Sequence, residues 1–184
     1  GVRNFFGGYL AGANATTGGQ NIAVGYLAIS SGVLTGIYNT AVGASAGNDL
    51  TSGTYNNFMG YRAGWNATTA NYAIAIGTNA IGLGVLTGTD NTAIGRSAGA
   101  DLTSGTYNFF GGYLAGANAT TGDDNVAIGQ SALGLGVLTG DDNIAIGYQA
   151  GYDLTSGTYN NFIGYQSGFN ATTGSHNIFQ GHQA

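Results

Sequence analysis

The chain has 184 residues, of which 36 are glycine, and its only charged residues are three arginines and eight aspartates. A net charge of −5 with 43% apolar residues excludes a disordered chain. With only three basic residues, the chain also lacks the clustered Lys and Arg side chains that bind nucleic acid. No cysteine is present, so disulfide and thiol chemistry are excluded, and no apolar run approaches the roughly 18 residues of a membrane-spanning helix.

A short phrase, N-x-[A/F]-x-G-x-x-A, recurs along the whole chain. Its clearest copies are NVAIG at 125–129 and NIAIG at 143–147. The phrase glycine recurs at a nearly constant spacing, and no copy lacks it. These glycines are Gly8, Gly25, Gly43, Gly60, Gly77, Gly95, Gly112, Gly129, Gly147, Gly164 and Gly181. A short, fixed period of this kind predicts stacked repeats rather than a globular domain with a private core.

Three phrases form a larger unit of 52 residues. The units are residues 5–56, 57–108 and 109–160, and a partial fourth unit covers 161–184. FFGGYLAGANATTG at 5–18 returns unchanged at 109–122. Residues 1–184 are therefore interpreted as one repeat array, and because the chain opens and closes in the middle of a phrase, we expect it to be a window of a longer one.

Each phrase predicts a short strand, a turn at the glycine, a second short extended stretch and a Gly-rich return turn. No apolar stripe with a 3.6-residue period runs between the glycines, which argues against helices. The predicted fold is all-β: a parallel β-solenoid with about 17 residues per coil and strands of roughly 4 to 6 residues. Coils stacked about 4.8 Å apart make a rod on the order of 50 Å long.

Two columns of the repeat exchange large and small side chains. Two residues before the phrase glycine stand Phe6, Ala23, Ala41, Phe58, Ala75, Ala93, Phe110, Ala127, Ala145 and Phe162. A later column reads Ala15, Leu34, Leu50, Ala67, Leu86, Leu102, Ala119, Leu138, Leu154 and Ala171. Phe in the first column always accompanies Ala in the second, and Ala always accompanies Leu. This exchange predicts two columns facing each other across a thin core of constant volume.

Asparagine begins most phrases, and its side chains are expected to form a hydrogen-bonded ladder along the rod, broken at Ala73. At the phrase glycine we expect a positive φ or a close approach of two backbones. A small residue, nearly always Ala, follows three positions later and predicts a tight corner.

The residue before the phrase glycine is also apolar, although it is expected to point out of the coil. These residues are Val24, Val42, Met59, Ile76, Ile94, Ile128, Ile146 and Ile163. A strand that is apolar on both sides is expected to be buried on both. This column is therefore the candidate assembly interface with other copies of the chain, and a tolerated apolar surface is the alternative.

The phrase N-x-A-I-G-x-x-A resembles the NSVAIGxxS phrase of YadA-type trimeric autotransporter heads. The chain is also similar, over its whole length, to the N-T-A-x-G-x-x-A-L…T-T-G-x-x-N repeats of phage-like tail-fibre and bacterial surface fibre proteins. The resemblance implies a left-handed parallel β-roll assembled as a homotrimer, with the outer apolar strand at the interface. It further implies a structural segment of an extracellular fibre, at a cell surface or on a virion.

An adhesive binding module is the alternative function. Tyrosines follow the phrase glycine in six coils: Tyr9, Tyr26, Tyr61, Tyr113, Tyr148 and Tyr165. Exposed rings of this kind stack on sugars, which makes them candidates for binding surface glycans, whereas packing against neighbouring coils or subunits is the structural alternative. A column of late threonines, including Thr35, Thr51 and Thr87, suggests ice binding more weakly, because hydroxyls that close a turn explain it equally well.

Four asparagines, one per unit, begin the triplet N-A-T: Asn14, Asn66, Asn118 and Asn170. They are N-glycosylation acceptors only if the chain is secreted by a eukaryote; otherwise they are turn residues.

Asp123, Asp124, Asp141 and Asp142 are acidic pairs in adjacent return turns. A Ca²⁺ ion that bridges them is one interpretation, and solvated turn charges are the favoured one. No other cofactor is expected. The two histidines, His176 and His182, have no repeated acidic partner and the chain has no glutamate, so we do not expect an enzyme.

Overall fold

The computed structural model describes all 184 residues and contains eleven β-strands of three residues each. They are β1 (Phe5–Gly7), β2 (Ile22–Val24), β3 (Thr40–Val42), β4 (Asn57–Met59), β5 (Ile74–Ile76), β6 (Thr92–Ile94), β7 (Phe109–Gly111), β8 (Val126–Ile128), β9 (Ile144–Ile146), β10 (Asn161–Ile163) and β11 (Ile178–Gln180). All eleven form one parallel sheet in chain order. The chain is thus a parallel β-solenoid with one phrase per coil, as the phrase period predicts, and we number each coil after its strand.

Neighbouring coils are in register, so that equivalent residues of the repeat lie above one another. Phe6 pairs with Ala23, and Ala41 pairs with Phe58. The same alignment continues through the final pair, Phe162 with Phe179. The columns recognised in the sequence are therefore real columns in space.

The strands are shorter than predicted, and the second extended stretch is almost absent. Outside the strands, the only bridge joins Ala15 to Leu34. The strands are short because left-handed corners interrupt the extended backbone on both sides of each strand. In the fourth coil, Tyr55 before the strand has φ 58°, Gly60 after it has φ 131°, and Arg62 has φ 54°. Most turns of the coil are thus made by single residues with positive φ.

The interior is one hydrophobic cluster of 30 buried residues that runs along the rod. Both exchanging columns belong to it, since Phe58, Ala67 and Leu50 are each fully buried. The narrow interior holds few large side chains per coil, so the volume of each one decides what its neighbours can be.

A third core column, which was not recognised in the sequence, explains why the repeat unit spans three coils. It lies four residues after the phrase glycine, and we call it the corner position. Its residues are Gly12, Ile29, Gly47, Gly64, Ile81, Gly99, Gly116, Leu133, Gly151 and Gly168. A Cβ atom at Gly64 or at Gly47 would lie 2.5 Å or 2.9 Å from a ring carbon of Phe58. Each full unit therefore has three kinds of coil: one with a Phe and a corner glycine against its ring, one with a large corner residue, and one whose corner glycine lies against the Phe ring of the next unit.

The predicted asparagine ladder is present. The Asn39 amide N–H donates to Asn21 Oδ1 at 2.8 Å, and Asn39 Nδ2 donates to the same oxygen at 3.0 Å and to the Gly53 carbonyl at 2.8 Å. The ladder runs from Asn4 to Asn56 and from Asn91 to Asn177, and it is broken at Ala73, as predicted. These amides satisfy backbone groups that would otherwise be buried without partners.

Candidate functional site

The outward side of the sheet is a largely apolar surface, which we call the strand face; its polar residues are Thr40, Asn57, Thr92, Asn161 and Gln180. It consists of the first and third residues of β1–β11. Of the predicted interface residues, Val24, Val42 and Ile76 are half-buried, whereas Met59, Ile94, Ile128, Ile146 and Ile163 are 37–43% exposed. The first strand position adds the exposed residues Phe5, Ile22, Ile74, Phe109, Ile144 and Ile178. The structure therefore brings all the predicted interface residues together on one surface of the isolated chain.

In two coils of the strand face, the third strand residue is glycine and the first is phenylalanine. A Cβ atom at Gly111 would lie 3.2 Å from Cε1 of Phe109, and one at Gly7 would lie 3.6 Å from Cε1 of Phe5. Each ring thus leans over the place that a third-position side chain would occupy.

Two columns of large side chains flank the strand face. The Gly-side margin, the residue after each phrase glycine, is Tyr9, Tyr26, Ala44, Tyr61, Thr78, Arg96, Tyr113, Gln130, Tyr148, Tyr165 and His182. The Asn-side margin, the residue before each ladder position, is Arg3, Gln20, Tyr38, Tyr55, Tyr72, Asp90, Tyr107, Asp124, Asp142, Tyr159 and His176. The tyrosines of the first margin were singled out from the sequence and those of the second were missed, although the recurrent phrase GTYN carries the signal.

The margin tyrosines stack on one another along the rod. On the Asn-side margin, Tyr38 and Tyr55 have ring centroids 4.9 Å apart, and Tyr55 and Tyr72 are 5.1 Å apart with only 3° between their planes. Parallel rings this close must overlap face to face, because rings lying side by side would need more room. Their edges and hydroxyls are left for solvent or a partner.

Each of the six tyrosines predicted to bind glycans has a ring face against its own chain. Tyr9 stacks on Tyr26 at 5.5 Å, and Tyr148 stacks on Tyr165 at 5.2 Å. The guanidinium of Arg62 lies 5.2 Å from the ring centroid of Tyr61, and that of Arg96 lies 4.2 Å from that of Tyr113. One face of each ring is therefore covered, which leaves less ring surface for a sugar to stack on, and the glycan hypothesis stays a prediction.

Five of the ten late threonines donate a hydroxyl hydrogen bond to a carbonyl of the next coil. The Thr51 hydroxyl donates to the Thr68 carbonyl at 2.9 Å, and the Thr103 hydroxyl donates to the Thr120 carbonyl at 3.0 Å. These bonds give half of the column a structural role, and the ice-binding alternative stays a prediction.

The N-A-T asparagines also bond between coils. Asn66 Nδ2 donates to the Leu83 carbonyl and Asn118 Nδ2 to the Leu135 carbonyl, both at 2.8 Å, and Asn14 Nδ2 donates to the Ser31 carbonyl at 3.1 Å. Asn170 is exposed in the tenth coil. Because glycosylation modifies the same Nδ2 atom, these bonds give the asparagines a structural role that competes with modification.

The carboxylates of the acidic pairs accept backbone hydrogen bonds. Asp123 Oδ1 accepts the Thr106 N–H at 2.6 Å, and Asp141 Oδ1 accepts the Asp123 N–H at 2.8 Å. Asp124 and Asp142 are exposed at left-handed corners with φ 56° and 58°. The structure contains no group of three or more His, Cys, Asp or Glu side chains placed to hold a metal ion. The Ca²⁺ site stays a prediction.

No helix in the structure is long and apolar enough to cross a membrane. Comparisons with protein-family models, with curated proteins and with solved structures found no match to this chain. The fold itself places the chain in the class of parallel β-solenoids. The resemblance to tail-fibre and autotransporter repeats stays a prediction based on the phrase alone.

Proposed function

We propose that this chain is a structural segment of an extracellular fibre and that it associates with other copies of itself through the strand face. The observation that supports this most directly is the strand face, to which each of the eleven strands contributes at least one apolar side chain. Contiguous exposed apolar surfaces of this size mark sites of protein association. A solenoid adds length without changing its cross-section, which is what a fibre segment requires.

Association end to end is a further part of the proposal, because a solenoid lengthens by adding coils of the same repeat without changing its cross-section.

The second candidate is an adhesive module that binds surface glycans. The observation in its favour is the exposure of the margin tyrosines, such as Tyr9 at 67% and Tyr159 at 58%. The stacking of these rings along the rod counts against it. We place it second for that reason.

Sedimentation velocity of the 184-residue chain tests the first candidate. We expect the native chain to associate, and we expect Ile94→Lys with Ile128→Lys to sediment as a smaller species with an unchanged circular dichroism spectrum, because contact through the strand face is lost. The matched control is Val33→Lys with Val85→Lys, which places two charges at exposed apolar residues outside the strand face. A well-folded native monomer at micromolar concentration would refute self-association, and specific retention on a glycan array would then favour the adhesive module.

A further inference from the structure

We propose that the partner on the strand face is a second copy of this chain, related by a two-fold axis parallel to the rod. The two rods then run in the same direction with equal coils side by side. The Asn-side margin of each copy lies against the Gly-side margin of the other. This inference rests on the proposed self-association and specifies its geometry.

The chain has a single largely apolar surface, and this favours a pair. The other exposed apolar residues include Val33, Val85 and Val137, which recur once per repeat unit and so form no strip. A two-fold pair uses the same surface on both copies, whereas a ring of three copies needs two different surfaces on each. Because the chain has only one such surface, a pair is favoured over the homotrimer that the family resemblance implies.

The strand face is also large enough for a stable pair. Eleven strands at about 4.8 Å give a length of about 50 Å, and the seven residues from margin to margin give a width of up to about 20 Å. The resulting upper limit of about 1,000 Å² per copy is of the same order as the roughly 800 Å² per partner of a stable protein interface. The face is thus of the size that a pair needs.

Charge at the margins decides the direction of the rods. The sixth coil carries Asp90 on one margin and Arg96 on the other, both exposed. A two-fold axis along the rod places Arg96 opposite the partner subunit's Asp90, and this pair occurs twice. A two-fold axis along a strand makes the rods antiparallel and places the Asn-side margin, with Asp90, Asp124 and Asp142, against itself. Like charges at an interface are unfavourable, so complementarity selects parallel rods.

Two further coils favour the parallel arrangement. In the third and fifth coils, Tyr38 and Tyr72 face the small residues Ala44 and Thr78 across the interface, so a large residue lies opposite a small one. In the fourth, seventh and tenth coils tyrosine faces tyrosine on both margins. The stacked rings of Tyr38, Tyr55 and Tyr72 are also ordered before association, which lowers the entropic cost of burying them.

A charge swap tests the pairing of the margins. In parallel rods, Arg96→Asp alone and Asp90→Arg alone each place like charges opposite one another, so each weakens dimerisation by about tenfold or more. The double variant Asp90→Arg with Arg96→Asp restores the opposite charges and dimerises like the native chain. Antiparallel rods pair each margin with itself, so the three variants and the native chain dimerise alike, and that result would overturn the proposal.

A distance measurement tests the direction of the rods independently of charge. The chain has no cysteine, so Tyr26→Cys on the Gly-side margin of the second coil carries a single spin label. Parallel rods hold the two labels about 20–25 Å apart, whereas antiparallel rods separate the second coil from its equivalent by about 40 Å, from the strand spacing and sheet separation.

The three outcomes of these measurements are distinct. A dimer with the shorter label distance supports the proposal. A dimer with the longer label distance, or a trimer, overturns this geometry and leaves self-association intact. A monomer overturns both this inference and the proposed function.

Discussion

Gly64 lies directly against the ring of Phe58, so that a Cβ atom at position 64 would stand 2.5 Å from Cδ1 of the ring. The other edge of the same ring meets Gly47 of the preceding coil, where the corresponding distance is 2.9 Å. Every third coil repeats this arrangement, with Phe110 between Gly99 and Gly116 as the next example. The size of one ring thus fixes the residue type at two other positions.

Replacement of Gly64 by alanine is expected to destabilise the protein by about 2–4 kcal/mol, because the Cβ atom overpacks the Phe58 ring and the φ of +59° is unfavourable for alanine. The matched control is Gly7→Ala, where the nearest atom to the added Cβ is 3.6 Å away and no left-handed φ is required. Urea denaturation measures the free energy of unfolding of both variants. An equal free energy of unfolding for the two variants would contradict the role given to the ring.

Deletion of coils tests the three-coil period. Removal of residues 57–108 places the seventh coil on the third, so that Phe110 meets Gly47 as Phe58 does now, and a cooperative fold is expected. Removal of residues 57–73 places the fifth coil on the third, so that Ala75 meets Gly47. The space of a Phe side chain is then left empty, at a cost of about 3–5 kcal/mol.

The shorter deletion is therefore expected to unfold at the lower urea concentration, although it keeps two more coils. If the urea midpoint instead rises with the number of coils in the variant, the core does not depend on the period of three.

Asn108→Ala is expected to destabilise the fold by about 2–4 kcal/mol, because it leaves buried backbone groups without partners. Asn108 Oδ1 accepts the Asn125 N–H at 3.0 Å, and its Nδ2 donates to the Gly122 carbonyl at 2.8 Å. Asn14→Ala is the control, since Asn14 is exposed outside both the ladder and the strand face and its side chain makes one exposed hydrogen bond, to the Ser31 carbonyl. Hydrogen exchange at the Asn125 amide offers a local measurement: unchanged protection in Asn108→Ala would show that the ladder does not hold this coil.

Asp49 gives an expected pH dependence. Burial raises the pKa of its carboxyl above the ordinary value of 3.8 in the folded chain. The folded state therefore binds the proton more readily than the unfolded state, so this group favours folding most below pH 3.8, and that contribution is lost as the pH rises through the folded pKa. Asp49→Asn is expected to remove this decline and to raise stability at neutral pH.

Asp142→Asn removes the same charge from an exposed return turn and serves as the control. Thermal unfolding measured from acidic to neutral pH compares the two variants. A steeper decline of stability with rising pH in Asp49→Asn than in the native chain would reverse the assigned sign.

The sequence by itself determined the winding of the chain. Parallel strands in register place each residue above its equivalent one period away, so a fixed spacing of phrases is copied directly into columns in space. For this reason the core Phe and Ala column, the asparagine ladder and its break at Ala73 were all predictable. The apolar third strand position, with Ile94 and Ile128, was predictable in the same way, because period-two alternation assigns it to the outer surface.

Only the tertiary structure decided how the corners are made and what fills the space beside them. Ile81 adopts a φ of 44°, which its β-branched side chain opposes, and its N–H donates to the Ala98 carbonyl of the next coil at 3.0 Å. The same left-handed corners shortened the strands to three residues and placed Tyr55 at the edge of the strand face. Residue type does not reveal these conformations, because bonds between coils hold them and those bonds exist only once the coils have stacked.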